Sequence, residues 1–475
     1  MWATFLVVLV LYFGLMVAIN LWGYRHTRTE ADFLAAGRSI GPFVGGAVLA
    51  ATQMSAGTYV GTMGRHYLTG VSWYYIWGGM WLGWLVSAIW IAPKLRKFGA
   101  LTVPDYIASR FNSPALGVLT GALIVVSYAV FLVAQFQASG EIVQGAFGVH
   151  PAAGMLVMIV ASCVLSMLGG VLGSSYMKFI QALIMTGGLI VSVPLLFSLV
   201  GGAPAAWHFL TELDPRLTGM FYNWKQLLGF SLAFCFSIAA APHEMTRFYS
   251  MRDSRTVTQA IVVCIIFQML IGGCVLICGM LVRTIFPNLS SGDQASTILA
   301  FQVLPPLAGS FLLLAMLSAI LSTCNSVLLI AGAGFAHDIY GRILRPESSD
   351  AHLVKVNRWA VVLLGIVPAW LALQKYGDVQ GIIIFKAKVV GSVFFVPVLL
   401  GLNWRGGSAA GAFAAMLGGF LSCVLWELQF PQSSANWGID SIEVAVLVSL
   451  ILFVLVARFT RPVPEESLRA FFPSR

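Results

Sequence analysis

Apolar side chains fill this chain in long unbroken runs, and polar residues gather in the short stretches between them. Each run lasts roughly 20 residues, the length of a helix that crosses a bilayer. Strands of a membrane barrel alternate apolar and polar positions instead, so the pattern predicts an all-α, polytopic membrane protein. Thirteen spans are expected, over 2–23, 42–64, 71–92, 113–147, 151–170, 173–201, 227–248, 257–286, 296–335, 353–373, 379–402, 408–427 and 442–457. The first run, Trp2 to Trp22, has no basic segment before it and no small-residue cleavage site after it, so it reads as a retained helix. The longest polar stretches, 337–358 and the tail from 458, are too short for an added soluble domain. The tail reads as a mobile cytoplasmic end.

Two of these runs are interrupted at mid-span. The second contains Ala50-Ala51-Thr52-Gln53-Met54-Ser55-Ala56-Gly57-Thr58, where small and polar residues break the apolar pattern. The seventh contains Ser237-Ile238-Ala239-Ala240-Ala241-Pro242-His243-Glu244, and its proline removes a backbone donor. Unwound backbone at membrane depth is tolerated where it lines a cavity or is buried in protein. The breaks lie five spans apart, as corresponding broken helices do in inverted-repeat transporters. The expected architecture is a single transmembrane domain over 1–475, with inverted repeats at about 42–201 and 227–402 and peripheral helices 2–23, 408–427 and 442–457. The competing explanation is that both stretches are small-residue packing seams.

Composition agrees with a lipid-facing surface: 59% of residues are hydrophobic and 9% charged, against about 25% charged in soluble domains. The net charge of +9 would suit nucleic acid, but the basic residues sit in short loops. With the N-terminus outside, nineteen of the 27 Lys and Arg fall in inside loops, five in outside loops and three within spans. This asymmetry places the protein in a plasma (inner) membrane, N-terminus outside and C-terminus cytoplasmic. All seven cysteines fall in apolar runs without metal-ligand spacing, so no disulfide or metal centre is expected. No nucleophile elbow, phosphate loop or clustered His/Asp motif supports an enzyme, and no cofactor is expected. The partners implied are a small solute and the bilayer; oligomeric state is not legible.

Three segments carry a family resemblance: Asp32-Phe-Leu-Ala-Ala-Gly-Arg-Ser-Ile-Gly41, Pro242-His243 with Arg247-Phe248, and Ser318-Ala-Ile-Leu-Ser-Thr323. Together they resemble the sodium:solute symporter family over nearly the whole chain. The resemblance implies a five-plus-five inverted-repeat core, alternating access, and symport of a small organic solute with sodium. It implies a sodium site between the first broken helix and the ninth span, with ligands from the carbonyls of Ala51, Met54 and Ala319 and the hydroxyls of Ser322 and Thr323. Their types suit a hard cation, which prefers oxygen ligands. Ala319, Ser322 and Thr323 share one helix face, although by spacing alone the two hydroxyls would be expected to bond back to their own helix. The matching solute positions are Gln53, Ser55 and Thr58; Gln135 and Gln137 are added on polarity. Tyr74, Tyr75, Trp77 and Phe236 are candidate gates, with packing as the alternative for each.

Lys178 stands where the family pattern usually has an acidic residue. It either snorkels to the cytoplasmic face, replaces the sodium as a built-in cation, or titrates and couples transport to protons. Lys386 and Lys388 also lie within a span, where charge defaults to function. Two residues apart, at most one of them faces a cavity; it would bind the carboxylate of an anionic solute such as pantothenate or a monocarboxylate, while the alternative for both is snorkelling to the outer face. Glu141, His243 and Glu244 are candidate partners, and the last two are a candidate proton relay. The alternatives to a sodium symporter are a sodium-independent or proton-coupled carrier and a transporter-like sensor.

Overall fold

The computed structural model describes residues 2–26, 39–99, 102–345, 347–374, 377–430 and 438–472. Among these the chain is almost entirely helical, with one isolated bridge between Ile40 and Met251. The long helices begin where the sequence supplies caps. Asn223 and Gln226 form a capping box ahead of α8 (Trp224–Ala240), and Asp253 caps α10 (Ser254–Ile285). Ser408 caps α14 (Ala409–Gln429), and Asp440 with Glu443 caps α15 (Ser441–Phe459).

Eleven helices among the described residues are long and apolar enough to cross a membrane. The sequence predicts thirteen, and the difference has two causes. The first broken span is divided: α2 (Pro42–Gln53) is only 12 residues long, and beyond its break the chain runs on as a helix through 57–98. The expected spans 151–170 and 173–201 form one helix, α7 (Pro151–Leu199), in which Leu172–Leu199 meets the length for crossing and Pro151–Leu165 is shorter.

The protein interior is built around α11 (Pro306–Ala333), which is buried along nearly its whole length. It packs chiefly on α7 and also meets α2, α6 (Pro114–Phe147) and α12 (Asp350–Ala372). α8 lies between α4 (Ile76–Val86) and α13 (Val379–Asn403). Close approach of α4 to α8 depends on Gly79 and Gly83: an added Cβ would lie 2.2 Å from the Ser231 carbonyl oxygen at the first and 2.5 Å from that of Cys235 at the second. Small residues four apart serve this purpose where helices associate in lipid. Leu6, Val10, Leu11, Leu156, Trp359, Leu363, Leu428 and Phe459 point outward, as a lipid-facing surface requires.

The C-terminal tail corrects the expectation of a mobile end. Its short helix α16 (Glu465–Arg469) leads into Phe471, stacked on Phe98 with ring centroids 4.4 Å apart, and Phe472, under the Arg110 guanidinium. All seven cysteines are free thiols.

Candidate functional site

The first interruption lies at Met54–Ala56. α2 ends with the Met54 amide bonded to the Ala50 carbonyl, and Met54 itself is extended (φ −71°, ψ 122°). The chain then resumes as a π-helical turn, Gly57–Thr62, and α3 (Met63–Thr69). A helix C-terminus leaves its last carbonyls unsatisfied and bears partial negative charge. Here the orphaned carbonyls are met from α11: Ser322 Oγ lies 2.7 Å from Ala51 O, and Thr323 Oγ1 3.2 Å from Met54 O. Ser322 Oγ is also 2.9 Å from Ala319 O. All five residues are buried. Two hydroxyl protons therefore face three carbonyl oxygens, so the cluster is short of donors.

The solute candidates divide on inspection. Ser55 Oγ accepts from Gly57 N at 3.1 Å, and Thr58 Oγ1 accepts from Ser55 N at 3.4 Å, so both hydroxyls stabilise the unwound turn. Gln135 on α6 accepts from Ala56 N at 3.0 Å through Oε1, while its Nε2 has no acceptor among the described residues. Gln53 is half-buried and its side chain forms no hydrogen bond among the described residues. Gln137 points elsewhere, donating to Gly377 O at 2.8 Å.

The second interruption falls at Ala241 (φ −67°, ψ 121°), between α8 and α9 (Pro242–Ser250). Tyr128 of α6 holds the new helix start: its hydroxyl accepts from His243 N at 2.9 Å and lies 2.7 Å from His243 Nδ1. His243 Nε2 lies 3.7 Å from Glu244 Oε1, and among the described residues neither carboxylate oxygen of Glu244 accepts a hydrogen bond. One turn on, Arg247 Nη2 donates to Ser326 Oγ at 2.7 Å and Ser174 Oγ at 3.3 Å, tying α9 to α11 and α7. Glu244 is within electrostatic reach of Lys178, Lys386 and Arg247.

The three intramembrane lysines have different fates. Lys178 is fully buried and its Nζ donates to the Ser322 carbonyl, so snorkelling is ruled out in this conformation. Lys386, 5% exposed, holds its Nζ 4.1 Å from the centre of the Phe131 ring. Lys388 faces the other way and pairs with Glu427 at 3.3 Å and Asp440 at 3.0 Å. Neither Lys386 nor Lys388 snorkels to a surface; both are buried. Glu141 lines a cavity of about 470 Å³ with Asp293 and Gln294. Of the aromatic gate candidates, Tyr74 lies edge-on to Trp81, Trp77 packs on Gly272 and Phe236 on Phe395, while Tyr75 is 59% exposed. Of the resemblance segment before α2, residues 32–38 lie outside the described residues. Sequence reasoning missed Tyr128, Phe131, Ser174, Ser326, Glu427 and Asp440; each is an ordinary residue in or beside an apolar run, and only the fold brings it to the charges.

Two interrupted helices meeting inside a many-span bundle define a secondary transporter of the five-plus-five inverted-repeat type. The chain belongs to the sodium:solute symporter family, which it matches over residues 33–419. The osmoregulated proline transporter OpuE of Bacillus subtilis is 25% identical over 477 residues, covering 97% of this chain and 96% of the relative. Sodium/proline symporter 2 of Staphylococcus saprophyticus is 28% identical over 482 residues, covering 97% and 93%. The fold is shared with a Na+-coupled sialic acid symporter in its substrate-bound outward-open state (TM-score 0.80, 15% identity, covering 97% and 99%). It is also shared with MHP1, a nucleobase-cation-symport-1 family transporter (TM-score 0.57, 14% identity, covering 92% and 97%).

Proposed function

We propose that this protein couples inward movement of sodium to uptake of a small zwitterionic amino acid such as proline, by alternating access across a plasma membrane. The observation that carries the reading is the convergence of Ala51 O, Met54 O, Ala319 O, Ser322 Oγ and Thr323 Oγ1 at the end of a broken helix. Ser322 Oγ lies 2.7 and 2.9 Å from Ala51 O and Ala319 O, and Thr323 Oγ1 3.2 Å from Met54 O. Opened out from one another, all five would present lone pairs to one hard cation. Each hydroxyl would then turn its lone pair, rather than its proton, inward. Sodium drawn into this cage fixes α2 against α11, and the solute occupies the adjoining turn, with Gln53 and the free amide of Gln135 as its polar contacts. The names of the relatives favour proline over the pantothenate or monocarboxylate suggested by the lysines alone.

The buried Lys178 favours a second reading. Its ammonium already contacts the carbonyl of Ser322, next to the cage, so it would serve as a resident cation in a sodium-independent or proton-coupled carrier.

Purified protein in liposomes, given labelled proline under a sodium gradient, a proton gradient or neither, separates the two. Uptake driven by sodium alone is expected. Uptake unchanged by removing sodium would overturn the first reading in favour of the second.

A further inference from the structure

We infer that Lys386 anchors the carboxylate of the transported solute, at the N-terminal end of α9. This rests on the transport reading of the two breaks and names a specificity-determining residue within it.

Lys386 is placed by both breaks. Ile383, one turn earlier on the same face of α13, packs so closely on Gly57 that an added Cβ there would lie 2.3 Å from Ile383 Cδ1. The lysine therefore continues that face toward the unwound residues 54–56. On its other side lies Phe131, whose ring also meets His243 at 6.0 Å. His243 is the second residue of α9, whose amide is already held by Tyr128; the macrodipole of the helix start still favours an anion there.

Among the described residues, the Lys386 ammonium has neither a hydrogen-bond acceptor nor an ion-pair partner. Burial of an ion is costly, and a single cation–π contact offsets only part of that cost. The remainder is unmatched in this conformation. The neighbouring cations differ in this respect: Lys178 donates to Ser322, and Arg247 to Ser326 and Ser174. Three buried cations thus share one carboxylate, Glu244. What the cluster lacks is a second anionic group, and the cation with no acceptor marks where that group belongs. A solute carboxylate there would accept from Nζ in a charge-assisted hydrogen bond while lying against the start of α9.

The test compares acids with their amides, which keep shape but not charge. Purified protein is titrated with L-proline, L-prolinamide, lactate and lactamide, and half-saturation is read from thermal stabilisation. For the wild type, an acid should bind ten- to a hundredfold more tightly than its amide. K386Q and K386M should bring that ratio to about one. K386R should keep the preference while raising half-saturation for acids several-fold and leaving amides unmoved. A wild-type ratio near one, absence of stabilisation by either acid, or an intact ratio in K386Q overturns the inference. Should the neutral variants fail to fold, the wild-type ratio and K386R decide: unchanged acid binding in K386R overturns it. A Lys386-dependent preference for lactate without binding of proline sinks the proline assignment and leaves the anchor standing. An intact preference with sodium-independent uptake sinks only the coupling ion.

Discussion

At the scale of single residues, the candidate ion site comes down to which groups can supply oxygen without a full negative charge. Thr323 Oγ1 has one cross-helix contact, to Met54 O, whereas Ser322 Oγ shares its proton between Ala51 O and Ala319 O. Thr323→Ala is therefore expected to raise the half-saturating sodium concentration by about tenfold, the effect of one polar ligand, with little change in fold stability. Proteoliposome uptake against sodium concentration checks this, and an unaltered sodium curve removes Thr323 from the site. Lys178→Asp exchanges a buried ammonium for a carboxylate beside the same oxygens; it is expected to increase sodium dependence, and an uptake rate indifferent to sodium would count against any role for position 178 in coupling. The five ligand candidates were legible because they lie in two short segments that resemble a known family. The surroundings of Lys178 were not, because whether a lysine near a span end snorkels or turns inward depends on which neighbours crowd it, and Ser322 is 144 positions away.

At the scale of elements, the breaks arise from local chemistry, and this is why they could be read in advance. Pro242 cannot continue the hydrogen-bond ladder of α8, and Ala241 is extended as a residue before proline tends to be. The first break has no proline; it is held open by Gln135 from another helix, together with Ser55 and Thr58. Only the small polar composition of 50–58 betrays it. Seams between helices are harder to find, since glycine occurs throughout this chain and only some copies face a neighbour. Gly79 and Gly83 do, against the backbone of α8. Gly83→Leu should prevent α4 and α8 from approaching, and Gly79→Ala should cost about 1–3 kcal/mol by overpacking. Thermal unfolding in detergent measures both, and a Gly83→Leu protein that melts like the wild type would show that the seam yields.

At the scale of the whole molecule, hydropathy located nearly every long helix, and its thirteen spans exceed the eleven helices among the described residues that are long and apolar enough to cross, because a 12-residue half-helix and a shorter apolar segment of α7 each read as full spans. The loop charges set an orientation that a reporter can check: a fluorescent protein fused after Arg475 should light up in the cytoplasm, and a dark fusion with an intact chain would reverse the topology. The docking of the tail was invisible to any periodicity, since it rests on Phe471 and Phe472 meeting residues hundreds of positions earlier. One small feature governs how such a body can move. Ile40, just ahead of α2, exchanges backbone hydrogen bonds with Ser250 and Arg252, just past α9, and Arg96 clasps Met251 and Arg252 from the side. The far ends of both interrupted rods are thereby yoked. A swing begun by either rod would be handed to the other through main-chain atoms, which only a proline at a donor position would break, so paired probes on the two rods should register one shared relaxation rather than two.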